Sequence, residues 1–236
     1  MKRLGVIIPS SNTTVEKEFS AALHGSEVSL HYARIPLKDV TVKALEEMEK
    51  QNVIAAKLLK DAAVDLVVFA CTSGSLVKGL GYDLRIAQEI SKAAGCPAVA
   101  TSSAVVDALK TLKARKIALA TPYIMEVADR EAEFLQKSGF EVVSNQSLGI
   151  MENLKIGQLT LQDAQDIAKR ASSKLADAIL VSCTNFRTFE ALPSLERQLA
   201  KPVVSSNSAT LWTALNALNV RPKLGLGKLF KTTATA

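Results

Sequence analysis

The sequence predicts an α/β fold in which two pseudo-symmetric halves, each a parallel sheet flanked by helices, form an active-site cleft between them. Three observations lead to this prediction. Short apolar runs alternate with amphipathic helical patterns along the 236 residues, an alternation typical of parallel α/β sheets. Several of the apolar runs are continuous, as expected for strands that are covered on both faces. Finally, three segments recur in the same order in the two halves of the chain.

The strands and helices follow from these patterns. The clearest strands are the apolar runs at 4–8, 66–70, 98–100, 117–120, 178–182 and 203–205. Two weaker strands lie near 28–33 and 141–143. Amphipathic helices are predicted between the strands. The segment 42–62 carries apolar residues at spacings of three, seven and four, and the helix beginning near Met125 has a similar apolar face.

The recurring segments indicate a duplicated fold. The aligned pairs are 64–72 with 176–184, 3–9 with 116–122, and 97–104 with 202–209. Their offsets lie near 110 residues, which is too long for a solenoid repeat and suits two homologous halves.

The duplication also sets the expected domain boundaries. We expect a first α/β half formed by 1–100 plus about 206–221, and a second formed by 101–205. A flexible tail is expected at 222–236, where glycines and lysines are followed by the sequence TTATA.

Composition excludes several classes of protein. The net charge is +6, and the last sixteen residues alone contribute four positive charges and no acid. Aromatic residues make up 5% of the chain, too few for base-stacking platforms, so no nucleic-acid partner is expected. No apolar run approaches the roughly 20 residues that span a bilayer. Three cysteines do not make a disulfide framework, and the expected location is the cytoplasm.

Neither a metal nor a cofactor is expected. The only histidines, His24 and His31, have no Cys, Asp, Glu or His partner at the spacing of metal ligands. The same isolation disfavours Cys–His or Ser–His catalysis, which would have to use one of these two. The chain has no glycine-rich dinucleotide fingerprint and no phosphate-binding loop.

Two cysteines occupy equivalent places in the repeats. Cys71 and Cys183 each end a predicted strand and precede a polar loop that begins a helix. Ligands of open α/β sheets bind beyond the carboxyl ends of the strands, so the two thiols meet in one cleft if the halves face each other. Thr72, Ser73 and Thr184 follow them with small polar side chains. A helix start favours an anion and a thiol pKa below its ordinary value.

A purely structural interpretation also exists, because free cysteine is among the most buried residue types. The paired placement of the two thiols before threonine favours function instead. Cys96 has no counterpart in the second half, where Lys201 stands at the equivalent position, and is expected to be structural.

The chain resembles the aspartate/glutamate racemase superfamily, and within it the maleate cis–trans isomerases and arylmalonate decarboxylases. The resemblance covers about residues 3–220. The segments that carry it are VIIPSSNTT at 6–14, HYAR at 31–34, ACTS at 70–73, TPY at 121–123, ENL at 152–154 and SCT at 182–184.

The resemblance implies a set of site residues. In the maleate isomerase pattern these are Asn12, Cys71, Tyr123, Asn153 and Cys183. Asn12 could instead only cap the helix that follows it. The decarboxylases typically keep the second cysteine and have glycine at the first, so the presence of both thiols here disfavours decarboxylation.

The function expected from the resemblance is a cofactor-independent isomerase that converts maleate to fumarate. Cys71, as thiolate, would add to the alkene, and Cys183 would handle a proton on the opposite side. The loop Thr-Ser-Gly-Ser after Cys71 is more similar to that of racemase-type relatives, so a two-cysteine racemase of aspartate- or glutamate-like acids is the first alternative. An arylmalonate-type decarboxylase and a non-catalytic small-acid-binding protein are the others. The expected partner is a small carboxylate, and the sequence leaves a homo-oligomer open.

Overall fold

The computed structural model describes residues 1–221 and 225–232. Within these residues, eight strands form two four-stranded parallel sheets, as predicted. The strands are β1 (Lys2–Pro9), β2 (Val28–Ile35), β3 (Leu66–Phe69), β4 (Ala98–Ala100), β5 (Lys116–Thr121), β6 (Glu141–Ser147), β7 (Ala178–Val181) and β8 (Val203–Ser205).

Eleven α-helices accompany the strands in the described part of the chain. They are α1 (Val15–Ala22), α2 (Val42–Met48), α3 (Asn52–Asp61), α4 (Thr72–Leu76), α5 (Tyr82–Ala94), α6 (Thr101–Thr111), α7 (Met125–Lys137), α8 (Asn153–Gly157), α9 (Leu161–Ala171), α10 (Leu192–Leu199) and α11 (Ser206–Ala217). The pattern at 42–62 forms two helices rather than one, joined by a 3₁₀ turn at Glu49–Gln51.

The two sheets have the same strand order, which confirms the duplicated fold. The first sheet runs β2-β1-β3-β4 and the second runs β6-β5-β7-β8. All residues of the central strands β3 and β7 are buried, which explains why their sequences are continuous apolar runs. Because all strands are parallel, the loops after β1, β3, β5 and β7 lie at the carboxyl edges of their sheets.

The last helix of each repeat contributes to the contact between the sheets. α6 follows β4, α11 follows β8, and the two helices pack against each other. The hydroxyls of Thr101 and Thr210 lie 2.9 Å apart in this contact. Each repeat therefore ends in a helix that packs on the last helix of the other repeat. The domain boundaries, 1–100 plus about 206–221 for the first half and 101–205 for the second, stay predictions.

Part of the expected flexible tail is packed in this structure. Residues 225–232 lie against α10 and α11: the Lys228 backbone N–H donates to Glu196 Oε2 at 2.9 Å, and Trp212 Nε1 donates to the Thr232 carbonyl at 3.3 Å. Leu229 is 1% exposed, so an apolar anchor holds this segment. The rest of the tail, 222–224 and 233–236, lies outside the described residues.

None of the described helices is long and apolar enough to cross a membrane.

Candidate active site

The two repeat-equivalent cysteines lie at the carboxyl edges of their sheets. Cys71 is two residues beyond β3 and immediately precedes α4, and Cys183 is two residues beyond β7. Each is 4% exposed. Cys183 has a φ of 104°, a left-handed value that costs a non-glycine residue on the order of 1–3 kcal/mol and clusters at functional sites.

Hydrogen bonds across the two halves place the cysteine loops side by side. Thr184 Oγ1 donates to the carbonyl of Ala70 at 3.0 Å. In the opposite direction, Thr72 Oγ1 donates to Ser206 Oγ at 2.8 Å, and the same oxygen accepts the backbone N–H of Cys183 at 3.0 Å. Each loop is therefore fixed by a residue of the other half.

Asn12 caps a helix, as one of the interpretations of the sequence had it, and its role in substrate binding stays a prediction. Its Oδ1 accepts the backbone N–H groups of Thr14 and Val15, each at 3.0 Å, which caps the start of α1. Its Nδ2 donates to Thr184 Oγ1 at 3.3 Å. The cap thus orients an amide N–H group toward the cysteine loop of the second half.

Asn153 reaches the same region from α8. It is 3% exposed, and its Nδ2 donates to Ser11 Oγ at 2.8 Å. Its backbone carbonyl accepts Asn185 Nδ2 at 2.7 Å, so α8 is tied to both the loop after β1 and the loop after β7.

Asn185 is a residue that sequence reasoning missed. Besides its bond to Asn153, its Oδ1 accepts the backbone N–H of Thr13 at 2.8 Å, and its own backbone N–H donates to Cys183 Sγ at 3.3 Å. It therefore holds together three elements of the site. A signal was available in the sequence, because Asn185 occupies the repeat position of Ser73, which is itself one of the predicted site residues.

Tyr123 lies beside the second cysteine. Its side chain is 1% exposed, and its phenol partly offsets the rise that burial gives to the pKa of Cys183. Burial raises the pKa of Tyr123 well above its ordinary value, and the neighbouring Cys183 raises it further. The phenol therefore stays protonated and serves as a hydrogen-bond donor.

The structure corrects the expected direction of the thiol pKa values. Burial raises the pKa of Cys71 to about 11, although the Gly74 backbone N–H and the Ser73 hydroxyl partly offset it. Burial raises the pKa of Cys183 to about 12, against hydrogen bonds from Tyr123 and the Asn185 backbone N–H. The expectation of a lowered pKa is wrong because α4 has only five residues, and its N-terminal dipole does not outweigh desolvation.

The site residues predicted from the sequence form a closed, polar core between the sheets. Hydrogen bonds join several of them, directly or through Ser11, Asn185 and Ser206, and each of the eight is at most 4% exposed. They are Asn12, Cys71, Thr72, Ser73, Tyr123, Asn153, Cys183 and Thr184. Among the described residues, no group of three or more His, Cys, Asp or Glu side chains could hold a metal ion.

Comparisons with known proteins find similar proteins over nearly the whole chain. A family model described as arylmalonate decarboxylase matches residues 4–230. A maleate isomerase of Geobacillus stearothermophilus is 31% identical over 232 residues, which cover 93% of this chain and 92% of that protein.

Two solved structures are also similar. The maleate isomerase Iso of Pseudomonas putida S16, as an alanine variant with maleate, has a TM-score of 0.93 at 28% identity, with 97% of each chain covered. A Nocardia farcinica maleate cis–trans isomerase mutant with a covalently bound succinylcysteine intermediate has a TM-score of 0.92 at 26% identity, over 97% of this chain and 98% of that one.

Proposed function

The chain belongs to the arylmalonate decarboxylase family, and we propose that within this family it is a cofactor-independent isomerase that converts maleate to fumarate. The observation that carries the proposal is the pair of buried thiols, Cys71 and Cys183, joined across the two halves through Thr72 and Ser206. The succinylcysteine of the Nocardia farcinica relative is the adduct that a cysteine forms with maleate, and it supports the same chemistry here.

The reaction proceeds by reversible thiol addition. Cys71 reacts as the thiolate, its proton having passed to solvent. Its sulfur forms a bond to one alkene carbon of maleate, while the π electrons move into the adjacent carboxylate as an enediolate. The former double bond is now single and rotates. The double bond then re-forms, the carbon–sulfur bond breaks, and the thiolate leaves with fumarate as the product. Dividing the isomerisation into addition and elimination avoids rotation about an intact double bond.

Cys183 handles the proton of the intermediate. As a neutral thiol it donates a proton to the carbon that carries the negative charge, which gives a succinyl adduct, and it takes the same proton back before elimination. The Tyr123 phenol acts to lower the pKa of Cys183 and so stabilises the transient Cys183 thiolate. The number of protons and electrons is unchanged over the cycle, so no cofactor is needed.

The carboxylates of the substrate bind to hydrogen-bond donors that, in the closed site, donate to acceptors of the protein itself. Asn12 Nδ2 points to Thr184, and Asn153 Nδ2 points to Ser11. The hydroxyls of Thr72 and Ser73 and the backbone N–H groups of the α4 start lie at Cys71. A dicarboxylate that enters this region exchanges these internal partners for its own oxygens, which are stronger acceptors because they are charged.

A second candidate function is racemisation of an aspartate- or glutamate-like acid. The equal burial of the two thiols favours it, since a racemase needs one thiol on each face of the α-carbon. Incubation in deuterated water separates the two functions. A racemase exchanges the α-hydrogen of its amino acid, whereas the isomerase forms fumarate from maleate and leaves aspartate and glutamate unchanged.

The cysteine roles are tested by Cys71→Ser and Cys183→Ser, followed by NMR of fumarate formation and mass spectrometry of the protein. Cys71→Ser should abolish both turnover and the adduct, because a serine hydroxyl is a far weaker nucleophile than a thiol. Cys183→Ser should slow turnover but retain a covalent adduct of maleate. Cys96→Ser is the matched control and should remain active. Near-normal activity of Cys71→Ser would refute the assignment of the nucleophile.

A further inference from the structure

A buried carboxyl group, which the proposed chemistry does not use, anchors the loop that carries Cys183. Glu18 lies on α1, in the first half, and is 5% exposed. Its Oε1 accepts the backbone N–H of Thr188 and, at 2.8 Å, that of Phe189. A carboxyl group is rarely buried to this degree without a partner or a task, and here both partners belong to the segment that follows Cys183.

The second oxygen of Glu18 reaches the same loop through Asn207. Glu18 Oε2 accepts Asn207 Nδ2 at 2.6 Å, and the same Nδ2 donates to the Thr184 carbonyl at 3.0 Å. Asn207 is itself fully buried, on α11. The loop is therefore held at Thr184, one residue after the cysteine, and again at Thr188 and Phe189. We refer to the two side chains as the Glu18–Asn207 clamp.

The backbone of Cys183 needs such support. Its φ of 104° lies in the left-handed region, where a non-glycine residue is strained, and strain of this kind persists only where the surrounding structure over-determines it. Cys71, the repeat-equivalent cysteine, has an ordinary extended conformation with a φ of −145°. The clamp therefore acts on the strained member of the pair.

The described residues of the first half show no counterpart of the clamp. The repeat offsets place Glu131 at the position of Glu18, and Ser102 at that of Asn207. Serine is too short to bridge a carboxylate and a loop carbonyl as asparagine does. Within the part of the chain that the structure describes, both Ser102 Oγ and Glu131 Oε2 lack a hydrogen-bond partner. The two cysteine loops are thus fastened differently.

We infer that Glu18 and Asn207 are positioning residues for the proposed reaction: their clamp holds Cys183 in the strained conformation from which its thiol exchanges a proton with the intermediate. This inference rests on the proposed function. Glu18 and Asn207 act through the loop of Cys183 and do not touch the substrate.

The first test compares alkylation of the two thiols by iodoacetamide, with peptide mapping by mass spectrometry. In Glu18→Gln, the side-chain oxygen still accepts the backbone N–H groups, but the new NH₂ group meets the NH₂ group of Asn207, so the bridge to Thr184 breaks. The ratio of Cys183 to Cys71 alkylation should rise several-fold over the wild-type protein, because only the loop of Cys183 is loosened. An unchanged ratio, or equal acceleration of both thiols as in global unfolding, would overturn the inference.

The assays are run at pH 8, where the Glu18 carboxylate is mostly ionised. Burial raises the pKa of Glu18 to about 7, and its hydrogen bonds to Phe189, Thr188 and Asn207 oppose that rise. The wild-type reference therefore has the clamp in its charged form.

Glu196→Gln is the matched control. Glu196 is also a buried carboxyl, 8% exposed, and it also accepts backbone N–H groups, those of Val203 and Lys228. Neither partner belongs to a cysteine loop, so the alkylation ratio should stay at the wild-type value. A change equal to that of Glu18→Gln would show that loss of any buried carboxyl produces the effect, and would contradict the inference.

A second variant keeps the test decisive if Glu18→Gln does not fold. Asn207→Ser gives the second half the residue that the first half has at this place, Ser102. It removes the bridge to Thr184 and leaves the Glu18 carboxylate in place. The alkylation ratio should rise in this variant as well, and an unchanged ratio would overturn the inference.

Turnover separates positioning from a purely structural role. Both variants should form fumarate at least about tenfold more slowly, since a small displacement of a reacting group costs this much, while Cys71 still forms its covalent adduct with maleate. Normal turnover by a variant with a raised alkylation ratio would overturn the positioning role. Absence of maleate turnover in the wild-type protein would instead refute the proposed function, whereas the alkylation assays need no substrate, so the two failures are distinguishable.

Discussion

At the scale of single residues, burial of the two thiols opposes the formation of a charged thiolate. Removing Cys71 from water raises its pKa from 9.0 to about 11, which is a cost of about 3 kcal/mol for forming the thiolate. Gly74 makes this burial possible: a Cβ there would lie 2.9 Å from Cys71 Sγ and 2.4 Å from Met48 Cε. A glycine at 74 therefore lets the Met48 side chain cover the thiol.

The raised pKa predicts the pH dependence of turnover. The reactive form of Cys71 is the deprotonated one, and its fraction increases about tenfold per pH unit below the pKa. The logarithm of kcat/KM for maleate should therefore rise with a slope near one between pH 6 and 9, without reaching a plateau. A stopped assay of fumarate formation across this range measures it. A plateau below pH 8.5 would show that the thiol ionises more easily than its burial in this structure implies.

The sequence identifies some of these residues better than others. Cys71 and Cys183 could be found because the repeat places them at equivalent strand ends. The burial of Glu131 on α7, which is 1% exposed, could not be predicted, since this residue lies in the charged run DREAE and looks like any polar residue of an amphipathic helix. Its burial depends on how α7 packs against α4 and β6, and local periodicity does not encode that packing.

At the scale of elements, three short segments from distant parts of the sequence must meet for the site to form. They are the loop after β1, the helix α8 and the loop after β7, joined by Asn185. At Gly157, α8 packs closely against the loops after β1 and β7, because a Cβ there would lie 2.3 Å from Thr13 Oγ1 and 3.0 Å from Asn185 Nδ2. The position of Asn153, four residues earlier on α8, depends on this contact.

Gly157→Ala should therefore impair the reaction from outside the reacting groups. The added methyl group pushes α8 away from Thr13 and Asn185, and displacement of binding groups by about 1 Å can cost up to about a hundredfold in rate. We expect kcat/KM for maleate to fall at least about tenfold on this basis, with steady-state kinetics as the measurement. Gly225→Ala is the control, since its Cβ meets nothing within 4 Å. Equal kinetics of the two variants would argue against a role of the α8 contact.

At the scale of the whole molecule, duplication explains both the fold and the place of the site. Two sheets of identical strand order bring equivalent strand ends together, and the repeats at 64–72 and 176–184 were sufficient to predict this. The packing of 225–232 was not predictable in the same way. Its glycines and lysines are typical of a loose terminus, and the anchoring of Leu229 depends on a pocket formed by distant helices.

The contribution of this C-terminal segment can be tested with one side chain. Leu229 packs into an apolar cluster with Trp212, Leu76 and residues of α6, so it joins elements of both halves. Leu229→Ala leaves a cavity there, and large-to-small substitutions of buried leucine lower the free energy of unfolding by about 2–5 kcal/mol. Urea denaturation followed by circular dichroism measures the change. Lys231→Ala, at an exposed position of the same segment, should stay within about 0.5 kcal/mol of the wild-type protein. A similarly small effect of Leu229→Ala would mean that the segment is not anchored in solution. A full effect would instead establish that the chain beyond α11 helps to hold the two halves together around the cysteine pair.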